Sequence, residues 1–215
     1  MKKYIPLLIL MASLFACWSC KLEDTYTETN VRDMVNVVDG LLYNDYGYNL
    51  AVVEDAVGAS NWKVEGARYL ALFDILNRNL DISLKSVLRA DKIVATPLED
   101  PEELAQDPVE LSIQGFSGGY LNLGFTITRD KASNNAHVFH FYYKVENNYM
   151  KIYIEHEGYG EDPIHMPDDN LESVDRMFSI PLDDLPYFSS VSLVMYCITT
   201  QGGEKVIKQT TVNLY

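Results

Sequence analysis

Residues 115–127 read Gly115-Phe116-Ser117-Gly118-Gly119-Tyr120-Leu121-Asn122-Leu123-Gly124-Phe125-Thr126-Ile127, and no other stretch constrains the fold so tightly. Glycine reaches positive φ without a Cβ penalty, and an apolar residue at every second position marks a strand with one buried face. The run predicts a strand ending near Gln114, a tight glycine-rich reversal, and a second strand over Tyr120–Thr128. Fifteen tyrosines and a scarcity of helix-period segments point the same way. Hydrophobic residues make up 47% of the 215, enough for a real core, which excludes global disorder.

Around this stretch the chain divides by composition. Residues 21–32 are polar and read as a flexible tether. From 33 to 95, strands are expected at Met34–Val38, Tyr48–Glu54, Tyr69–Leu76, Leu80–Val87 and Lys92–Ala95, with turns at Asp39-Gly40 and Asn77-Arg78-Asn79. Five short strands in this span suit a small barrel of the OB type. Residues 96–108 carry Pro97, Pro101 and Pro108 among acidic residues and read as a linker, with a capped helical turn at Asp100-Pro101-Glu102-Glu103. From 109 to 215, strands are expected at Val109–Gln114, Tyr120–Thr128, His137–Val145, Tyr149–His156, Met177–Ile180, Ser190–Thr200 and Glu204–Leu214. In Tyr149–His156, Met150, Ile152 and Ile154 alternate with Lys151, Tyr153 and Glu155, as a sandwich with one packed and one solvated face requires. The fold class is therefore all-β: a small OB-like barrel followed by an antiparallel β-sandwich.

The N-terminus carries the strongest functional signal. Lys2 and Lys3 precede an apolar stretch, Tyr4–Ala16, that is too short to span a bilayer and reads as a signal peptide. Cys17 follows Leu14-Phe15-Ala16, and Cys20 follows Cys17-Trp18-Ser19. Both resemble the lipobox of bacterial lipoproteins, Cys17 more closely, so the leader is 1–16 or 1–19. The plainer alternative is a secreted protein with incidental cysteines. Acylation of either cysteine would attach two or more chains and anchor the protein stably to the membrane. Cys20 also precedes Lys21-Leu22-Glu23-Asp24, which resembles the acidic export signal of surface lipoproteins, so the expected location is the outer membrane with the leaflet open. Cleavage leaves 15 basic and 31 acidic residues, a net charge of −16. That sign excludes a nucleic-acid partner, which needs cations against its phosphates. Cys197, alone beyond the leader, permits no internal disulfide.

Candidate chemistry is sparse. Gly115-Phe116-Ser117-Gly118-Gly119 matches G-x-S-x-G, but a nucleophile elbow needs a helix after the serine where a strand is expected, so Ser117→Ala should change neither stability nor activity. Glu155, His156, Glu157, Glu161, Asp162, His165, Asp168 and Asp169 could suit a cation, yet His156-Glu157 does not continue as H-E-x-x-H and no EF-hand spacing occurs, so a solvated loop is expected. His137 and His140 must point to opposite faces of one strand. Tyr43, Tyr46, Tyr48 and Trp62 offer an aromatic platform, with core packing the expected role. No catalytic, cofactor or metal-binding residue is assigned.

The lipobox, the acidic approach to Asp107-Pro108-Val109, and Gly118-Gly119-Tyr120-Leu121-Asn122-Leu123-Gly124-Phe125 together resemble the NigD-like lipoproteins of Bacteroidota. Ile154-Glu155-His156-Glu157 and Gly160-Glu161-Asp162-Pro163 add to the likeness, which covers nearly the whole mature chain. The resemblance implies an N-terminal OB-like domain and a C-terminal β-sandwich. It brings no catalytic residues, because the family has no established molecular activity. The functional expectation is a non-enzymatic, lipid-anchored envelope protein with a protein partner in the envelope. Glycan or metal binding is the alternative, and a serine hydrolase using Ser117 the remote one.

Overall fold

The structure, a computed structural model, describes residues 26–99, 104, 107, 109–134, 136–147, 149–158, 167–188, 190–198 and 205–212. The leader with Cys17 and Cys20, and the capped turn expected at 100–103, lie outside them. Among the described residues no helix is long and apolar enough to cross a membrane.

Five strands form the first unit: β1 (Glu28–Val38), β2 (Leu41–Asn44), β3 (Asn49–Asp55), β4 (Arg68–Ile75) and β5 (Asp81–Lys92), with one helical turn, α1 (Ala59–Trp62), between β3 and β4. β1 pairs with β2 and β4, β2 with β3, β4 with β5, and β3 closes onto β5 in parallel, so the strands form a ring. This is the OB-like barrel. Alternation fills it: Tyr69, Ala71 and Phe73 from β4 meet Val35 and Val37 from β1 and Ile82 and Leu84 from β5. Trp62 plugs one end, buried, with Nε1 donating to Asp55 Oδ2 at 2.9 Å.

The barrel departs from the sequence reading in two places. Its fifth strand is Leu41–Asn44, whereas Lys92–Ala95 leaves the barrel: Ile93 N donates to Ser179 O at 3.1 Å, and Ala95 is buried in the second unit's core. Glu28–Arg32, read as tether, is strand, because β4 supplies backbone partners that its polar side chains do not need to provide. Lys85 and Asp74 hold Asn30 from the neighbouring strands.

The second unit comprises β6 (Thr96–Pro97), β7 (Glu110–Ser117), β8 (Tyr120–Asp130), β9 (Val138–Glu146), β10 (Tyr149–Glu157), β11 (Leu171–Pro181), β12 (Ser190–Ile198) and β13 (Lys205–Val212). One sheet runs β13-β12-β10-β9-β6; the other runs β11-β8-β7 and continues through β5 into the barrel. Leu121, Leu123, Phe125 and Ile127 of β8 pack with Phe178 and Ile180 against Phe139, Phe141, Met150, Ile152, Ile154, Val191 and Leu193 from the facing sheet. Phe125, Phe139, Phe141 and Phe178 interlock with ring centroids 5.0–6.4 Å apart. Truncating one such ring to alanine typically costs about 3–5 kcal/mol.

Three further differences bear on the site. Two pairings in the second sheet, β10–β12 and β6–β9, are parallel, so the sandwich is mixed. The chain leaves β10, crosses to the other layer as β11 and returns beside β10 in the same direction. Thr96–Pro97, read as linker, already pairs with β9. β11 begins at Leu171, not Met177, because its polar first half extends the ladder with β8, where Arg129 and Glu172 also pair at 2.7 Å.

Candidate functional site: a groove where barrel and sandwich meet

The reversal at Gly118-Gly119 is a two-residue hairpin joining Ser117 directly to Tyr120. Both glycines have positive φ, +56° and +79°, the geometry of a type I′ turn. Gly118 also lies against the Asp45 carboxylate, so a Cβ there would collide with it. The β7–β8 hairpin of the sandwich thus touches the β2–β3 turn of the barrel.

Arg68 sits at that junction, fully buried. Its Nη1 and Nη2 donate to the two carboxylate oxygens of Asp45 at 2.5 and 2.6 Å, a bidentate pair. Nη1 also donates to Asn36 Oδ1 at 3.1 Å, and Nε to Ser179 Oγ at 3.2 Å and Asn122 Oδ1 at 3.4 Å. Tyr120 covers the guanidinium, ring centroid 4.5 Å away. Burial alone would raise the Asp45 carboxyl, but hydrogen bonds from Arg68, Ser117 and Asn36, with the Arg68 charge, outweigh it and hold the group below the usual carboxylate range. Nη2 also donates to the Ser117 carbonyl at 3.5 Å, so a barrel residue binds three sandwich strands, at β7, β8 and β11.

Ser117 belongs to this cluster. Its hydroxyl accepts from Asn122 Nδ2 at 2.8 Å and donates to Asp45. A hairpin and a strand follow it, so neither a helix N-terminus nor the strand–turn–helix of an elbow supports a nucleophile there. The expectation that Ser117→Ala leaves stability unchanged is corrected, since that change unpairs two polar partners.

Beside the cluster the continuous sheet curls and leaves two adjoining hollows, about 290 and 300 Å³, sharing Arg32, Leu70 and Ile113. One wall is barrel, through β1, β4 and β5; the other is sandwich, through β7, β8 and β11. Leu70, Leu88 and Ile113, packed on Met34, Ala90 and Met177, make the floor apolar. Arg32 and Arg176 line the groove, both exposed, and neither enters an ion pair among the described residues. Gly124 is required here, because a Cβ would come within 2.9 Å of Ile113 Cβ on β7. Among the described residues β7 is also the sheet's outermost strand, with no partner strand along its far edge. No local motif announces this groove. Its residues come from six strands.

The other sequence candidates are dispersed. His137 and His140 point apart. His137 is buried with Nδ1 3.0 Å from His156 Nε2, and His156 Nδ1 lies 3.2 Å from the Asp107 carbonyl. A carbonyl only accepts, so His156 Nδ1–H donates to it and His156 Nε2 accepts from His137. His140 lies on the outer face with Glu155 and Glu157, and the donor atoms of those three are within 4.8 Å of one another. Tyr142 donates to Glu155 Oε2 at 2.9 Å. Burial, then Glu155's hydrogen bond and charge and the Glu157 charge, push the Tyr142 phenol up, so it keeps the proton it donates. Asp168 and Asp169 lie in an exposed 3₁₀ turn, while Glu161, Asp162 and His165 are outside the described residues. Trp62 is a plug and does not share a platform with Tyr46 and Tyr48, which are 81% and 60% exposed.

Residues 92–210 match the model of the NigD-like C-terminal beta sandwich domain, more than half the chain. The chain belongs to the NigD-like family. Among solved structures, a DUF1344 protein of unknown function from Bacteroides vulgatus matches this NigD-like chain at TM-score 0.60 and 17% identity, over 85% of this chain and 90% of that one. A NigD-like immunity protein from Bacteroides caccae matches at 0.58 and 16%, over 86% and 91%. A candidate lipoprotein from Bacteroides fragilis matches at 0.54 and 11%, over 87% and 99%. At these identities the likeness is one of fold, and it spans barrel and sandwich together. No curated protein matches the chain.

Proposed function

We propose that this NigD-like protein is a lipid-anchored, non-enzymatic binding module of the outer membrane, and that its groove receives an acidic, extended segment of a protein partner. The groove carries this reading. In a chain of net charge −14, Arg32 and Arg176 stand over an apolar floor and enter no ion pair among the described residues. Exposed cations beside a desolvating surface favour carboxylates, and the open edge of β7 offers backbone groups to a strand laid along it. The anchor rests on the leader and on Cys17 or Cys20. Support for an envelope setting comes from the neighbour described as a candidate lipoprotein, and the neighbour described as an immunity protein fits a stoichiometric partner. Glycan binding is the second reading, favoured by the exposure of Tyr46 and Tyr48.

Membrane fractionation and crosslinking on intact cells test the proposal. The tagged chain should enter the outer-membrane fraction and capture a protein, and the Cys17→Ser/Cys20→Ser variant should do neither. Equal capture by the non-acylated variant would reject the anchored role.

A further inference from the structure

We propose that His140, Glu155 and Glu157 form a binding site for a first-row divalent cation of the zinc type on the outer face of the sandwich. The antiparallel register sets His140 directly opposite Glu155 across β9 and β10, and Glu157 follows two residues on, on the same face. Paired residues on such a face have Cβ atoms about 4.5–5.5 Å apart, close enough for an imidazole and a carboxylate to reach one ion. Their donor atoms, with that of Glu157, already lie within 4.8 Å of one another, on strands and not on a loop. The chemistry of the set selects the ion. One imidazole nitrogen with two carboxylates suits zinc and its neighbours, whereas calcium takes six to eight oxygens. Three protein ligands also leave a coordination position for water or a ligand atom.

Glu155 is the anchor. It points to the solvated side of the sheet, yet only 7% of it is exposed. Tyr142 donates to its Oε2 at 2.9 Å, which orients the carboxylate. That is the arrangement by which outer-shell hydrogen bonds orient metal-binding carboxylates. His156, between the two glutamates, points into the core toward His137 and takes no part.

The test is calorimetric titration of the full chain, in detergent, with zinc and separately with calcium. Cys17 and Cys20 are replaced by serine throughout, so that their thiols do not compete. One equivalent of zinc should bind, and calcium should bind far more weakly or not at all. His140→Ala and Glu157→Gln change side chains that are not buried, so the fold should survive, which circular dichroism checks. Each should weaken zinc by more than the ten- to hundredfold expected for Tyr142→Phe, which removes only the orienting hydroxyl. His137→Ala should leave zinc affinity unchanged. Absence of zinc binding, zinc binding undiminished by His140→Ala, or calcium binding as tight as zinc would each overturn the proposal.

Discussion

Arg68→Met removes the guanidinium from the junction while keeping an apolar chain of similar reach. Asp45, with its side chain 2% exposed, would lose the bidentate pair and retain only the bonds from Asn36 and Ser117. Asn36, Asn122 and Ser179 would each lose a donor. Breaking a buried pair from one side costs about 3–5 kcal/mol, because the charge left behind has neither water nor partner. At about 2–4 °C per kcal/mol for a chain of this size, the melting temperature at pH 7 should fall by about 6–20 °C. The pH dependence gives a second, independent signature. In the wild type the depressed Asp45 carboxyl contributes stability that is present above its unfolded value of about 3.9 and is lost as pH falls through the lower folded value. Without Arg68 its hydrogen bonds and charge no longer offset burial and the folded value rises, so the variant loses less stability than the wild type as acid protonates the group. The deficit should therefore shrink between pH 7 and pH 4. Arg68→Met/Asp45→Leu, which removes both charges, should recover most of the loss. Thermal melts followed by circular dichroism at several pH values measure all of this. A shift under about 2 °C at pH 7, or a deficit independent of pH, would refute the view that buried Arg68, braced by Asp45, fastens barrel to sandwich.

Two smaller changes probe the same junction. Gly118→Ala combines a strained φ with a collision against Asp45, whereas Gly119→Ala has strain but open space, so denaturant melts should find Gly118→Ala the more damaging by at least about 1 kcal/mol. Ser117→Ala should cost about 1–3 kcal/mol, by unpairing Asn122 and Asp45, and stability unchanged within about 0.5 kcal/mol would contradict the hydrogen bonding described.

What the sequence disclosed, and what it hid, follows from the range of each interaction. Met150, Ile152 and Ile154 announce β10 and its core face, because alternation is written in consecutive residues. Gly118-Gly119 announces its hairpin for the same reason. Leu41–Asn44 is too short to show a period, and Glu28–Arg32 and Leu171–Arg176 are too polar. Those segments are strands because β4 and β8 offer them ladders. The Arg68 cluster joins residues 23, 32, 54 and 111 positions away, so no window along the chain contains it. His140 was not grouped with the acidic run because only the β9–β10 register sets it across from Glu155, while the run itself offered His156, which the pleat sends to the opposite face.

The groove remains the centre of the functional account, and charge reversal within it is the most direct test. Arg32→Glu/Arg176→Glu alters two exposed side chains that enter no ion pair among the described residues, so the fold should be untouched, and the leader with Cys17 and Cys20 is left as it stands. Intact-cell crosslinking should then be run with the wild type and this variant side by side. The account predicts a protein captured by the wild type and lost, or reduced at least about tenfold, in the variant, since two reversed charges would face an acidic segment across a poorly solvated surface. Equal capture by both would contradict it.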